Sequence, residues 1–221
     1  MLTLILADAS LELVPRKIAK HSSVVKLARR KGKKPEEILL DRSYHHSAML
    51  SLPFSYKRGR PDIVHFALLI ATSSPLYRMN KLKIFVHTIN DKLIVLSHGL
   101  RFPKAYHRFE GLMEQLFKIE RIEYKGKALL ELKEKDFEGL MKELKLKRVI
   151  GLSRKGKAST FEDVARKLED NSAIVIGGFP KGSFTDKVLK NIHELYSVHK
   201  LSLETALVVD RILYEYEKVY Q

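Results

Sequence analysis

The stretch Ala173-Ile174-Val175-Ile176-Gly177-Gly178-Phe179-Pro180-Lys181-Gly182 (AIVIGGFPKG) decides the fold. Small and β-favouring apolar residues run straight into a glycine pair, and Pro180 and Gly182 follow. A buried strand that breaks into a glycine-rich loop brings bare backbone close to a ligand. The spacing matches neither the G-x-G-x-x-G dinucleotide turn nor the G-x-x-x-x-G-K-[ST] phosphate loop. Backbone amides and carbonyls can instead read a purine edge and ribose hydroxyls without a lysine; taken alone, Gly-Gly-Phe-Pro more often marks a plain tight turn. In open α/β sheets ligands lie beyond the carboxyl ends of the strands. Two further segments have that character, Gly151-Leu152-Ser153 and the run Tyr196, Ser197, Val198, His199, Lys200, Leu201.

Working outward, TLILADASLELV (3–14) predicts a buried first strand and a turn, and Arg16 to Arg30 carries helical periodicity. A basic breaker, Lys31-Gly32-Lys33-Lys34-Pro35, and a short apolar segment lead to a second basic loop over 55–62. Pro61 and Asp62 are N-terminal signals for the helix that follows. LKIFVH (82–87) and KLIVLS (92–97) flank a turn and predict a hairpin, with a helix over 109–118 and a strand–turn–strand unit beyond it. After a helix over 137–146 comes a short strand at 149–152, then a helix capped by Thr160. The AIVIGG strand, a helix around Thr185 to Leu195, and a last helix from Ser202 to Tyr220 complete the chain. Strands alternating with helices predict an α/β fold with a mainly parallel sheet, read as one domain over 1–221.

Composition narrows the function. The 221 residues have 41 Lys and Arg against 26 Asp and Glu, a net charge of +15 that points to a polyanionic partner. No apolar run approaches the ~18 residues of a membrane span, and MLTLILADASLEL lacks the basic start and cleavage site of a signal peptide. With no cysteine there is no disulfide, thiolate zinc site or cysteine nucleophile, which fits the cytoplasm. The paired His45-His46, His65 and His87 follow no metal-ligand spacing, so no metal is expected.

Arg60, Arg101, Lys104 and Arg108 form a second constellation. The last three are three and four residues apart, so on a helix they share one face, with Phe102 and Tyr106 interleaved. Such a face suits an RNA backbone and splayed bases, or is simply a solvated basic edge. Arg58 is a further candidate phosphate contact by charge and proximity.

The pieces LLDRSYHHSAM (39–49), RGRPDIVHFALL (58–69), SPLYR (74–78), VHTIND (86–91), RFPKAYHRFEGLMEQL (101–116), IGGFPKG (176–182), LSLETAL (201–207) and RILYEYE (211–217) occur together and in order over nearly the whole chain. Their combination resembles the SPOUT-class methyltransferases, and within them the ribosome-biogenesis enzymes that methylate N1 of a pseudouridine in small-subunit rRNA. The resemblance implies an α/β fold with a deep C-terminal trefoil knot, a topology that chain-connection rules would otherwise exclude, and a β-rich insertion. It implies S-adenosylmethionine in the knotted loops at about 150–221, touching Gly177, Gly182 and the run Tyr196 to Leu201. It implies rRNA on Arg60, Arg101, Lys104 and Arg108 within about 55–110, pairing of two subunits, and small-subunit ribosomal proteins as further partners. Asp62 and Arg60 are the candidate catalytic pair, with Asp62 as proton acceptor or, preferably, as the carboxylate that orients Arg60. Lys200, Ser183 and Tyr77 depart from the family's usual Pro, Asp and Asn. An rRNA-binding assembly factor without turnover and a related enzyme acting on tRNA are the alternatives.

Overall fold

The computed structural model describes residues 1–220. Its frame is one eight-stranded sheet in the order β4-β5-β3-β2-β1-β7-β6-β8. The strands are β1 (Leu2–Ala9), β2 (Leu82–Thr88), β3 (Lys92–Leu96), β4 (Arg121–Tyr124), β5 (Lys127–Glu134), β6 (Arg148–Ala158), β7 (Ser172–Gly177) and β8 (Glu194–Ser197). Five of them, β2-β1-β7-β6-β8, run parallel, and β3, β5 and β4 extend the sheet antiparallel. The predicted hairpin is β2–β3, and the predicted strand–turn–strand unit is β4–β5.

The helices are α1 (Ser22–Lys31), α2 (Arg42–Met49), α3 (Pro61–Ser73), α4 (Pro75–Arg78), α5 (Tyr106–Ile119), α6 (Phe137–Leu144), α7 (Phe161–Lys167), α8 (Asp186–Leu189) and α9 (Thr205–Tyr220). Strand alternation assigns the two faces of the sheet. Leu2, Leu4 and Leu6 of β1 join α3, α5, α7 and α9 in one core, while Ile5 and Ala7 join Phe137, Phe184 and Val188 in a smaller one beneath α6 and α8. A third cluster, Val24, Leu27, Ala48 and Met49 among its members, is shared by α1 and α2.

Several boundaries differ from the sequence expectation; the helix expected over 109–118, for example, already starts at Tyr106. The helix expected over 185–195 is only Asp186–Leu189, because Glu194 to Tyr196 pair in parallel with Ile150 to Leu152 and become strand. The short strand expected at 149–152 continues to Ala158, since Lys157 and Ala158 also pair with β8. The last helix begins at Thr205 and not after Ser202, and the Thr205 hydroxyl ties that start to the end of β7 by donating to the Gly177 carbonyl at 2.8 Å. The segment from Arg16 is a single 3-10 turn before α1, whose N-terminus is capped when His21 Nδ1 accepts from the Ser23 amide.

The β6–β8 crossing is tight. Tyr196 pairs with both Leu152 and Lys157, so Ser153 to Gly156 swing out of the sheet between them. A Cβ on Gly156 would lie 2.5 Å from the Tyr196 backbone and 2.6 Å from Leu195 C. Only glycine lets these two stretches of main chain pass.

Candidate functional site

Beyond the carboxyl ends of β6, β7 and β8 lies a cavity of about 540 Å³. Gly177, Phe179 and Gly182 come from the loop after β7, Arg154 and Lys155 from the β6 excursion, and Ser197, Val198, His199 and Leu201 from the turn after β8. Ile63 of α3 and Thr205 and Val208 of α9 close it. Six of the eight expected cofactor contacts, Gly177, Gly182, Ser197, Val198, His199 and Leu201, therefore face one cavity, whereas Tyr196 and Lys200 do not line it. The Tyr196 ring points away, its hydroxyl donating to Glu194 at 2.5 Å.

The loop after β7 is anchored from below by groups that the sequence reading missed. Asp8, the penultimate residue of β1, has φ +50 and is buried. It accepts the Thr185 amide at 2.6 Å, the Thr185 hydroxyl at 2.9 Å and Lys57 Nζ at 3.1 Å. Lys57 Nζ also sits 4.3 Å over the Phe179 ring. Gly182 has φ +102, and a Cβ there would come within 3.0 Å of the Tyr56 ring. An acidic residue inside the otherwise apolar strand LTLILADA was the available signal, since a buried carboxylate demands a partner.

The basic loop proves largely inward-facing. Arg58 is a correction: it is buried and gives Nε to Glu12 Oε1 at 2.7 Å and Nη2 to Oε2 at 2.5 Å, so it has no charge left for phosphate. Asn90 Nδ2 donates to the same Glu12 at 2.7 Å. Arg60 is the exception. Its Nε and Nη2 reach Asp62 Oδ1 and Oδ2 at 2.8 and 2.7 Å, a bidentate fork with side chains 39% and 30% exposed. The Asp62 hydrogen bonds raise Arg60 above its usual range, and Glu204 and Asp41 add to that field. Ser10 fixes the backbone by accepting the Arg60 amide at 2.7 Å.

Arg101, Lys104 and Arg108 are all exposed, but they do not share a helical face. Helix α5 starts only at Tyr106, after an extended Ala105, so Arg101 and Lys104 lie on the strap before it. Phe102 is buried against Phe109, with ring centroids 5.8 Å apart, and His65 Nε2 pairs with the Pro103 carbonyl at 2.7 Å; both hold the strap extended. The expected interleaved aromatics are likewise spent. Phe102 is core, and Tyr106 donates to Asp41 at 2.7 Å, where burial and that carboxylate push its phenol far up. Tyr77, which departs from the family's usual Asn, is buried and donates to the Ser97 carbonyl at 2.8 Å.

Two of the histidines singled out above are tied into the fold. His45 Nδ1 accepts the Asp41 amide at 3.0 Å, and His87 Nε2 lies 3.2 Å from Asp91. No helix among the described residues is long and apolar enough to cross a membrane.

A mixed α/β sheet whose looped carboxyl edge builds such a cavity, beside a partly exposed Arg–Asp fork, has the architecture of a small-ligand site next to a charged surface. The chain belongs to the EMG1/NEP1 methyltransferase family, whose model matches residues 4–217. It is 44% identical over 209 residues to the ribosomal RNA small subunit methyltransferase Nep1 of Pyrobaculum calidifontis, covering 94% of both chains. The protein of the same name from Methanothrix thermoacetophila is 39% identical over 217 residues, covering 98% of this chain and 96% of that one. The crystal structure of Archaeoglobus fulgidus Nep1 bound to S-adenosylhomocysteine superposes with a TM-score of 0.89 at 39% identity, covering 98% and 97% of the two chains.

Proposed function

We propose that this protein transfers a methyl group from S-adenosylmethionine to N1 of a pseudouridine in small-subunit rRNA. One turn of helix carries the reading: Ile63 of α3 lines the cavity, while Arg60 and Asp62 stand half-exposed immediately before it. In this reading a donor in the cavity and a base held by Arg60 meet beside Ile63.

The cavity fits an adenosyl cofactor. Its volume of 540 Å³ falls within the range of about 300–1,000 Å³ usual for such ligands. Ile63, Leu152, Ile176 and Val208 offer apolar walls, and three loops offer main-chain donors and acceptors. Gly177, Gly182, Ser197, Val198, His199 and Leu201 hold the cofactor in this reading, with Tyr196 and Lys200 framing the turn. The cofactor supplies a methyl already activated on sulfonium, whose bonding electrons stay on sulfur. What remains for the chain is alignment, together with charge stabilisation as N1 loses its proton. Both carboxylate oxygens of Asp62 are engaged by Arg60, which supports the orienting role over the proton acceptor. Arg60, Arg101, Lys104 and Arg108 then contact the RNA, whose target base is turned out of its loop.

The C-terminal knot belongs to the same reading. Support comes from the main-chain crossing at Gly156 and from the packing of α9 across both α3 and α7. So does pairing of two subunits, supported by Phe66 and Tyr214, which are exposed on the packed helices α3 and α9.

The test is transfer from labelled S-adenosylmethionine to two matched hairpins carrying uridine or pseudouridine at the loop target. Label on the pseudouridine hairpin alone is expected. Binding of both with no label in either would replace this reading with an assembly factor that has no turnover.

A further inference from the structure

Residues 16–34 contain nine Lys and Arg and no Asp or Glu. Where they lie determines what they can do. Lys31 and Lys33 are taken up by Glu110 and Glu114 of α5 at 2.6 to 2.8 Å. Lys26, Arg29 and Arg30 of α1 are different: they sit at i, i+3 and i+4 on the exposed face of the helix. Among the described residues, none of the three has a carboxylate partner. Arg30 lies 5.5 Å over the ring of Tyr44, which is itself 47% exposed on α2.

This face adjoins the Arg60 site. The Lys31 pairs tie α1 to α5, and Asp41, one turn before Tyr44, accepts from Tyr106 at the start of α5. Arg108 follows on the same helix, and Arg60 lies within the field of Asp41. Helix α2 thus links the two places: the Arg42 amide at its start donates to the Gly59 carbonyl beside Arg60, and Tyr44 in the same turn carries Arg30 of α1.

We infer that the α1 face, Lys26, Arg29 and Arg30 with Tyr44, is a second contact surface for the same RNA and grips the phosphates of the stem that flanks the target loop. The inference rests on the rRNA reading above. Unpaired cations in a row suit a phosphate backbone, because each contact releases a condensed counterion and no acidic neighbour competes. The Arg30–Tyr44 stack pre-orders one guanidinium.

The test uses the full chain with glutamine at all three positions (K26Q, R29Q, R30Q) and two RNAs: a hairpin with a short stem, and the same loop on a stem longer by a helical turn. Glutamine keeps helix propensity, so the melting temperature and S-adenosylhomocysteine affinity should not change. Expected is a loss of about tenfold in affinity for the long-stem RNA only, with the salt slope reduced by about two to three. The charge-keeping variant K26R, R29K, R30K should restore both. Unchanged affinity and slope on the long stem would overturn the inference, as would equal weakening on both RNAs. If the unaltered protein bound neither RNA, the rRNA reading itself would fall, and this inference with it.

Discussion

Asp8 and Thr185 are 177 residues apart in the chain, yet the carboxylate at the end of β1 accepts both the amide and the hydroxyl of Thr185, at 2.6 and 2.9 Å. Together with Lys57 they fasten the far end of the loop that opens at Gly177. A charge left unpaired there is costly, so Asp8→Ala should destabilise the protein by about 3–5 kcal/mol in urea unfolding. Adding Lys57→Met should recover most of that loss. If the double variant were no more stable than the single one, the pair would not be coupled.

The Arg60–Asp62 fork makes the opposite forecast. It is partly solvent-exposed, so its share of stability is at most about 1 kcal/mol after solvent screening. Asp62→Asn should therefore leave the melting temperature nearly unchanged and reduce single-turnover methyl transfer at least tenfold, with RNA affinity falling much less. Equal loss of transfer and affinity would leave the carboxylate only a binding role.

Two glycines separate folding from cofactor binding. Gly156→Ala places a methyl against the backbone of Leu195 and Tyr196, where nothing flexible can yield, and should prevent cooperative folding. Gly182→Ala adds left-handed strain of about 1–2 kcal/mol and a contact with Tyr56, whose ring can give way. That variant should fold and bind S-adenosylhomocysteine more weakly by calorimetry.

Stability should fall in acid in two windows. Burial holds the imidazoles of His45 and His87 below their ordinary value, so the unfolded chain takes up these protons first. Unfolding free energy is then full above about pH 6.5 and drops as pH falls below it, by up to about 1.4 kcal/mol per pH unit for each histidine. Burial would raise the Glu114 carboxyl, but Lys31, Lys33 and the Leu39 amide outweigh it and hold it low. Its contribution is lost only as pH falls below the usual carboxylate range. Urea titrations of His87→Gln and Glu114→Gln should flatten the upper and lower windows respectively.

The local elements were legible because period and punctuation are local. Pro61 and Asp62 open α3 where expected, and Thr160 caps α7 by accepting the Asp163 amide. Segment 185–195 misled because a short strand added at a sheet edge has no period of its own, and Leu195 fits either pattern. The strap 101–105 misled because three-and-four spacing is satisfied by any run of basic residues, whether or not the backbone coils.

By itself the sequence determined the α/β class, the glycine loop after β7, the basic character and the family motifs, all properties of contiguous residues. Tertiary structure alone decided which charges are available. Arg58 and Arg60 are neighbours with the same chemistry, yet Arg58 is sealed against Glu12, 46 residues away, while Arg60 faces solvent beside the cavity. Burial of an ion requires a partner brought from a distant part of the chain, and that pairing exists only once β1 and the loop before α3 have packed together.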